Sequence, residues 1–429
     1  MSPTKEDPVL IIGAGTFGLS TAHKLASLGH TNITVLEKDD RVPSRFSGGF
    51  DLNKIIRSEY IDPFYTEVAL QAIRQWQTNP LYQPHFRQVG FLNVVTGEAK
   101  PVVQNALHKY NASVAANPAF NGYLIPCPDA TAIHKVAPQF TGDLPGWTGY
   151  LNRLAGYAQS SHAMQAVYSA CVQLGVKFAL GKAGEVDELL YETSLGGKKC
   201  TGARTKDGKV YQARTTIVAA GGFVANVLPA IAPQISAVCW GVSHIQLTPE
   251  ESEQLRGLPV TTVRDIGFFF EPDPATHKLK ICYMGGGYTN QKNGLSVPYS
   301  TLAESEYVPE EDVRQTRRLL KQVLPHIADR PLIDKHLCWV ADTDNSDFII
   351  DFVPGTTDNS LAVLSGDSGH GFKMMPIIGD FAASLLAKGA QELPRWRWRE
   401  PKVEEGRPKH IAWRATATID LSSAPRAKL

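Results

Sequence analysis

The sequence predicts a mixed α/β (α+β) fold with two domains, one built on a parallel sheet flanked by helices and one on an antiparallel sheet. The length of 429 residues exceeds that of an average single domain. The chain opens with a strand–turn–helix–strand unit at 8–39, which is typical of a parallel sheet. Apolar runs at 238–247, 267–270 and 278–283 predict an antiparallel sheet in the second domain.

The unit at 8–39 has the features of a Rossmann-type dinucleotide-binding domain. An apolar run rich in β-branched residues, 9–12, leads into the pattern G-x-G-x-x-G and then into a helix that ends at Gly29. The first glycine permits a tight turn, the second lets the backbone approach a pyrophosphate, and the third lets helix and strand pack closely. The helix N-terminus attracts the phosphates. Glu37 ends the next strand, where a carboxylate accepts a hydrogen bond from a ribose hydroxyl. The predicted cofactor contacts of this turn are Gly13, Gly15, Thr16, Phe17 and Gly18.

The composition argues against several classes of function. Lysine plus arginine (43) nearly equals aspartate plus glutamate (42), so nucleic acid or an anionic membrane is not an expected partner. The chain has no run of 18 apolar residues, and its first residues lack the apolar stretch of a secretion signal. The 6 cysteines lack CxxC spacing, which argues against a zinc site or a disulfide scaffold and favours an intracellular, reducing location. We therefore expect no metal.

The pattern of the remaining chain places the other elements in order. Helices are predicted at 64–79, 160–174, 309–324 and 377–387. Further strands are predicted at 90–95, 176–180, 215–220, 337–343, 348–351 and 361–364. A glycine-punctuated loop at 44–50 suits backbone that runs close to a cofactor. Arg57 follows this loop, and the residues alone fit a surface arginine equally well.

The last three residues, Ala427, Lys428 and Leu429, are similar to the S-K-L peroxisomal address. The preceding residues 422–426 are polar and contain proline, so we expect a disordered segment that presents the address to an import receptor. The alternative is a chance tripeptide at the end of a polar tail. The sequence therefore predicts a peroxisomal location.

Five segments together resemble a known family. They are GAGTFG at 13–18, NKIIR at 53–57, KLKICY…GYTN across 278–290, CWVADTDNSDFIID at 338–351 and SGHGFK at 368–373. In this order they resemble the flavoprotein amine oxidases related to monomeric sarcosine oxidase, pipecolate and saccharopine oxidases, and fungal fructosyl-amino-acid oxidases. The resemblance covers nearly the whole chain and implies a D-amino-acid-oxidase-like fold with FAD as the cofactor.

The family fold leads to a division of the chain into interleaved segments. The FAD-binding domain is expected to comprise 1–88, 151–230 and 335–390, and the substrate domain 89–150 and 231–334. The charged, proline-bearing stretch 391–429 is expected to be a surface segment or tail. We expect a monomer.

The resemblance also implies roles for individual residues. Cys338 falls where the family attaches FAD through an 8α-thioether, although a free cysteine is more often a small buried hydrophobe. Arg57 and Lys373 match the two cations that hold the substrate carboxylate. Lys280 matches the lysine near flavin N5 that promotes the reaction with oxygen, and its alternative is an exposed strand lysine. The further predicted cofactor-binding residues are Lys38, Ser47, Lys54, Gly369, His370, Gly371, Phe372 and Lys373.

The expected activity is the oxidation of a secondary amino acid such as saccharopine, pipecolate or an N-alkyl amino acid, with O₂ reduced to H₂O₂. The fructosyl enzymes have an acidic residue where this chain has Met284, and sarcosine oxidases have a histidine. A thioether cannot replace a carboxylate as acceptor for several sugar hydroxyls, so a fructosyl amino acid ranks second. The sequence also leaves open an FAD-dependent amino-acid dehydrogenase, an NAD-dependent reductase, since both cofactors use the glycine pattern, and a noncatalytic flavin-binding scaffold.

Overall fold

The computed structural model describes residues 4–194, 196–399 and 417–427. Its first layer is a six-stranded sheet, and the central strand Val9–Ile12 pairs in parallel with strands on both sides, so that Ile11 lies opposite Ile217 and Val35. The strands, in spatial order, are Ile349–Phe352, Leu361–Ser365, Thr215–Val218, Val9–Ile12, Ile33–Glu37 and Lys177–Leu180. All neighbours are parallel except the first pair, which is antiparallel. The sheet predicted from the glycine unit is confirmed.

The second layer is a ten-stranded sheet that is mostly antiparallel. In spatial order its strands are Ile419–Asp420, Tyr288–Thr289, Ser236–Gln246, Lys278–Tyr283, Gly267–Phe269, Val260–Val263, Phe91–Val95, Thr148–Asn152 and Leu124–Cys127, with Ile333–Asp342 also paired to Ser236–Gln246. Two junctions are parallel, one between Val260–Val263 and Phe91–Val95 and one at the edge strand Ile419–Asp420. The antiparallel prediction therefore holds for most of the sheet.

Smaller sheets and the helices complete the fold. A three-stranded antiparallel sheet is formed by Val186–Ser194, Gly197–Thr205 and Val210–Gln212. Another small sheet joins Lys54–Ile56, Gly156–Ala158 and Phe86–Arg87, and a short hairpin joins Gln291–Lys292 to Leu295–Ser296. The α-helices are Thr16–Ser27, Pro63–Thr78, Pro101–Ala115, Ala130–Val136, Ser160–Gln173, Val224–Val227, Pro249–Gln254, Glu310–Val323 and Met375–Lys388.

Two apolar cores follow from these layers. The larger core packs the helices Thr16–Ser27, Pro63–Thr78, Ser160–Gln173 and Met375–Lys388 against the parallel sheet. A second core lies between the ten-stranded sheet and the helix Glu310–Val323, whose Leu319, Leu320 and Val323 are fully buried. None of the helices in the described ranges is long and apolar enough to span a bilayer. Within the same ranges, no group of three or more His, Cys, Asp or Glu side chains could hold a metal ion.

Two segments are placed differently from the sequence-based expectation. The strand Ile333–Asp342, assigned mainly to the FAD-binding domain, pairs antiparallel with Ser236–Gln246 of the ten-stranded sheet. The segment from 391 onward is not only a surface tail, because Trp396 is fully buried against Phe348 and Phe381. Burying a large aromatic side chain stabilises the fold, and the charged residues next to it in sequence can still reach solvent. A segment of mostly charged composition can therefore pack onto the core through one aromatic residue.

The residues before the C-terminal tripeptide are also ordered, contrary to the disorder expected for 422–426. Leu421 is buried, and the backbone of Glu310 donates a hydrogen bond to the carbonyl of Pro425 at 2.9 Å. The guanidinium of Arg426 lies 4.0 Å from the ring centre of Tyr307. Ala427 donates its backbone N–H to Val308 at 3.1 Å, whereas Lys428 and Leu429 lie outside the described residues.

Candidate active site

A cleft of about 570 Å³ lies at the carboxyl ends of the parallel strands. Its floor is the glycine turn that follows the first strand, and its side wall is the end of the second strand with Glu37. The predicted residues that line it are Gly13, Gly15, Thr16, Phe17, Glu37, Lys38, Ser47, Lys54, Cys338, Gly369, Gly371 and Phe372. Ligands of open α/β sheets bind at this edge, so the cleft stands where a dinucleotide is expected.

The glycine turn leaves no space for larger side chains. Gly13 has φ +106°, and a Cβ there would lie 2.5 Å from the carbonyl oxygen of Ala219. A Cβ at Gly18 would lie 1.9 Å from the carbonyl oxygen of Gly13, so the third glycine packs the helix onto the turn and does not itself line the cleft. Gly15 begins the helix without a side-chain cap, and the first turn carries no acidic residue. The helix N-terminus is therefore suited to phosphate oxygens.

Glu37 is 5% exposed and is fixed by three donors. The backbone N–H groups of Ala14 and Asp39 donate to its carboxylate at 2.9 and 3.0 Å, and the hydroxyl of Ser44 donates at 2.8 Å. Burial raises the pKa of Glu37, while these donors oppose that rise. A carboxylate has about four acceptor positions, so one remains for a ribose hydroxyl.

The neighbouring Lys38 has a different environment. Its ammonium lies 3.9 Å from the ring centre of Phe46 and 4.2 Å from that of Phe223, and it donates to the carbonyl of Ser300 at 3.2 Å. These contacts hold Lys38 at the wall of the cleft.

A second pocket of about 220 Å³ adjoins the cleft. The two share the side chains of Lys54, Cys338, Val340 and Phe372, together with Gly369. The second pocket is lined by apolar and aromatic residues and by five basic ones, and no aspartate or glutamate is among the residues that line it. Its basic residues are Lys54, Arg57, Arg264, Lys280 and Lys373. A pocket of this kind favours a small anionic molecule placed beside the ligand of the cleft.

Lys280 and Lys54 share one buried carboxylate at the boundary of the two pockets. Lys280 is 1% exposed and donates to the carboxylate of Asp51 and, at 2.8 Å, to the carbonyl of Asn53. Lys54 lies 3.1 Å from the same carboxylate and 3.4 Å from the sulfur of Cys338. Burial alone would raise the pKa of Asp51, but the two ammonium groups hold it well below its usual range. The buried position of Lys280 removes the alternative of an exposed strand lysine.

Arg57 and Lys373 meet on the other side of the second pocket. The guanidinium of Arg57 donates to the carbonyl of Glu59 and lies 4.9 Å from the ring centre of Tyr60, and the ammonium of Lys373 lies 5.7 Å from that ring. Burial, and then the charge of Arg57, hold the pKa of Lys373 well below its usual range. The carboxyl of Glu59 is fully buried beside them, and burial raises its pKa. The two predicted carboxylate-binding cations are thus close together.

The turn at 366–372 is held by hydrogen bonds to the neighbouring strand. The carboxylate of Asp367 accepts from the backbone N–H of Ala341 at 3.0 Å and of Gly369 at 3.1 Å. His370 is buried, with its Nε2 2.9 Å from the carbonyl of Ser346 and its Nδ1 3.0 Å from the hydroxyl of Tyr60. A carbonyl only accepts, so Nε2 carries the proton towards it and Nδ1 accepts from Tyr60. His370 lines the second pocket but not the cleft, so it orients Tyr60 beside Arg57.

The structure adds three charged residues that the sequence reasoning did not single out. Asp51 had a signal, because it stands three residues before Lys54 in the same short segment. Glu59 had a weaker one, two residues after Arg57. Arg264 had none, because it follows a strand of the second domain without any surrounding motif.

Comparisons with known proteins agree with this geometry. Residues 8–385 match the family described as DAO, FAD dependent oxidoreductase. The chain is 31% identical over 434 residues to the L-saccharopine oxidase of Schizosaccharomyces pombe, with 96% of each chain covered. It is 24% identical to the peroxisomal sarcosine oxidase of Mus musculus, with 88% of this chain and 92% of that protein covered. The crystal structure of the fructosamine oxidase Amadoriase II of Aspergillus fumigatus matches with a TM-score of 0.90 at 31% identity, covering 100% of this chain and 98% of that one.

These relatives confirm the predicted resemblance and fold class. They favour FAD over NAD as the cofactor, and an enzyme over the noncatalytic scaffold that the sequence also left open. The uncapped helix N-terminus, the turn without room for a Cβ, and the free acceptor position of Glu37 fit the pyrophosphate and ribose of FAD. The chain belongs to the FAD dependent oxidoreductase family.

Proposed function

We propose that the protein is an oxidase of secondary amino acids, which converts the C–N bond to an imine and reduces O₂ to H₂O₂. The observation that carries this proposal is the second pocket, where Arg57 and Lys373 converge beside the predicted FAD cleft. The names of the saccharopine and sarcosine oxidases among its relatives support the same class of substrate.

The residues of the second pocket bind and orient the substrate. Arg57 offers a planar fork to a carboxylate, and Lys373 adds a point charge on the same group. Holding the carboxylate fixes the α-carbon next to the boundary of the two pockets, where Lys54 and Cys338 lie. FAD bound in the cleft supplies the acceptor for the hydride that leaves this carbon.

The position of Cys338 supports covalent attachment of FAD through an 8α-thioether. Its sulfur lines both pockets, and the ammonium of Lys54 at 3.4 Å can stabilise negative charge on that sulfur during bond formation. Burial opposes the charge on Lys54, but the sulfur of Cys338 and the carboxylate of Asp51 raise its pKa.

Acid precipitation tests the attachment. The flavin colour is expected in the pellet of the wild-type protein and in the supernatant of Cys338→Ala. Cys282→Ala is a suitable control, because Cys282 lines the second pocket but not the cleft. Colour that stays wholly in the wild-type supernatant would show that FAD is not covalently bound.

A fructosyl amino acid is the second candidate substrate, favoured by the similarity to Amadoriase II. Met284 lines the second pocket and presents no carboxylate to the hydroxyls of a sugar. Trp240, Tyr283 and Gly285 line the same pocket, and none of them carries a carboxylate either. We therefore rank saccharopine, pipecolate and N-alkyl amino acids above fructosyl amino acids.

A panel of amines with peroxide detection tests the activity on the purified holoenzyme. Saccharopine, pipecolate and sarcosine are expected to give peroxide with higher kcat/KM than fructosyl-valine or fructosyl-lysine. Higher kcat/KM for a fructosyl compound would overturn the substrate ranking. Reduction of the flavin by a substrate without peroxide in air would instead indicate an amino-acid dehydrogenase.

We also propose that the protein is peroxisomal and that an import receptor recognises Ala427, Lys428 and Leu429. The similarity to a peroxisomal sarcosine oxidase and the chemistry of peroxide release support the location. A fusion with a fluorescent protein at the N-terminus is expected to co-localise with peroxisomes, and deletion of the three residues is expected to disperse it.

We further propose that the enzyme is a monomer. Light scattering of the purified protein measures the oligomeric state, and a mass near twice 46.8 kDa would contradict the monomer.

A further inference from the structure

Arg264 is a buried cation that the proposed activity does not yet use. It follows the strand Val260–Val263, is 7% exposed and lines the second pocket. Its backbone N–H donates to the carbonyl of Val94 at 2.9 Å, which fixes the residue at the junction of two strands. The side chain therefore reaches the pocket from the end of a strand of the ten-stranded sheet.

The guanidinium of Arg264 has few partners for a buried charge. It lies 4.4 Å from the ring centre of Tyr110, and its Nη1 donates to the amide oxygen of Asn93 at 3.5 Å. Its Nε is buried without a hydrogen-bond partner, and no carboxylate of the described residues forms an ion pair with it. A buried charge without an opposite charge is costly, so an anionic ligand would complete this environment.

Each of the other four basic residues of the pocket has a carboxyl group nearby. Lys280 and Lys54 share the carboxylate of Asp51. Arg57 and Lys373 both lie in the field of the Glu59 carboxyl. Among the described residues, Arg264 forms no ion pair, and the carboxylate of the adjacent Asp265 instead accepts hydrogen bonds from the backbone N–H and the hydroxyl of Thr96.

The position of Arg264 relative to Arg57 sets where a second anion would lie. Both guanidinium groups lie against the ring of Tyr110, with carbon-to-ring-centre distances of 4.4 Å for Arg264 and 5.6 Å for Arg57. The two guanidinium carbons are therefore at most about 10 Å apart. Within this limit, two carboxylates of one amino acid with a short side chain can each reach one guanidinium group.

We propose that Arg264 binds a second carboxylate of the substrate, on the side chain of the amino acid whose α-carboxylate is held by Arg57 and Lys373. This inference rests on the proposed function and narrows it. The substrate class is N-substituted acidic amino acids of the glutamate type, of which saccharopine is one. A guanidinium can bind a carboxylate by two parallel charge-assisted hydrogen bonds, whereas an uncharged side-chain amide offers it a single acceptor oxygen.

A matched pair of substrates tests the proposal on the wild-type holoenzyme. N-methyl-L-glutamate and N-methyl-L-glutamine have nearly the same shape and differ in the charge of the side chain. We expect kcat/KM to be at least about tenfold higher for N-methyl-L-glutamate, as for a charge-assisted hydrogen bond. Equal values, or a preference for the amide, would overturn the proposal while leaving the proposed oxidase intact. Peroxide from neither compound nor from any secondary amino acid would instead contradict the proposed function.

Variants locate the preference at Arg264. Arg264→Met is expected to lower kcat/KM for N-methyl-L-glutamate about tenfold or more and to leave N-methyl-L-glutamine nearly unchanged. Arg256→Met is the control, because Arg256 is an exposed arginine paired with Glu253 outside the pocket. An equal loss for both substrates in Arg264→Met would show a structural role and overturn the assignment.

Binding without turnover gives an independent readout. Glutarate and butyrate are unreactive acids that differ in the second carboxylate, and calorimetry measures their dissociation constants. Glutarate is expected to bind the wild type at least about tenfold more tightly than butyrate, and Arg264→Lys should retain part of that difference. Equal affinities for the two acids would contradict a second anion site.

Discussion

Replacement of Lys280 separates the two halves of the proposed reaction. The Lys280→Met variant keeps much of the length and apolar volume of the side chain but removes the ammonium of a residue that is 1% exposed and lines the second pocket. On the proposed function, Arg57 and Lys373 on the other side of the pocket bind and orient the substrate carboxylate, so these steps should be largely unaffected. The reaction with oxygen creates negative charge, and we propose that Lys280 stabilises it.

The expected magnitude follows from the burial of this charge. Removal of one preorganised electrostatic group from a water-excluded site typically lowers a rate by roughly 100- to 1000-fold. The carboxylate of Asp51 retains Lys54 at 3.1 Å, so the variant does not leave it unpaired and is expected to fold. Oxygen reduction should therefore slow by about two to three orders of magnitude, and substrate oxidation by much less.

Stopped-flow mixing measures the two half-reactions separately. Anaerobic mixing with substrate gives the rate of substrate oxidation, and mixing of the reduced enzyme with oxygenated buffer gives the oxygen rate. An artificial dye as electron acceptor is expected to restore turnover of Lys280→Met. The control is Lys278→Met on the same strand, whose ammonium pairs with Asp334 at 2.6 Å and is partly exposed. An oxygen rate of Lys280→Met equal to that of the wild type would refute the assigned role.

Three further predictions concern other parts of the site and fold. Burial and then the charge of Arg57 lower the pKa of Lys373, and a bound carboxylate should raise it again. The affinity for acetate should therefore fall as the pH rises through the pKa of Lys373 in the free enzyme, and Lys373→Met should lose this pH dependence. Met284→Glu should raise kcat/KM for fructosyl-valine relative to pipecolate in the peroxide assay, and no change would mean that this position does not read the substrate. Burial raises the pKa of Asp312 to about 7, so between pH 4 and 7 the native state binds more protons than the unfolded chain, and stability falls as the pH rises, by at most about 1.4 kcal/mol per pH unit. Asp312→Asn should lack this dependence in urea melts, and a constant difference from wild type across that range would contradict it.

Local pattern predicted the elements whose neighbours in the fold are also near in sequence. The glycine turn, the first helix and the strand Lys278–Tyr283 needed only periodicity and turn residues, and Lys280 was found on that strand from the resemblance. The pairing of Ile333–Asp342 with Ser236–Gln246 was missed, because an apolar strand fits either sheet until its partner is known. Composition likewise did not predict that the segment from 391 onward packs onto the core, because Trp396 is buried although the residues next to it in sequence are charged.

Two of the missed charged residues, Asp51 and Arg264, make contacts that sequence spacing does not indicate. Asp51 contacts Lys280, which is 229 residues away in the chain, and Arg264 approaches Arg57 only through the ring of Tyr110. Such contacts are created by tertiary packing, so no spacing within a short window indicates them. Asp51 and Glu59 do lie close in sequence to Lys54 and Arg57, but that proximity alone does not indicate that their carboxyl groups are buried beside the pocket.

If the proposed function is correct, the positive charge of the second pocket affects both the binding of the substrate carboxylate and the protonation of the substrate amine. Asp51 and Glu59 stand beside four of the five basic side chains, so an excess of positive charge remains around the substrate. That potential attracts carboxylates, and by the same Coulomb term it disfavours a second cation in the pocket. The amine of a bound substrate is therefore shifted from its ammonium form towards the neutral form. Only the neutral amine has the lone pair that supports loss of a hydride from the adjacent carbon, so the charges that hold the carboxylate also prepare the nitrogen for oxidation.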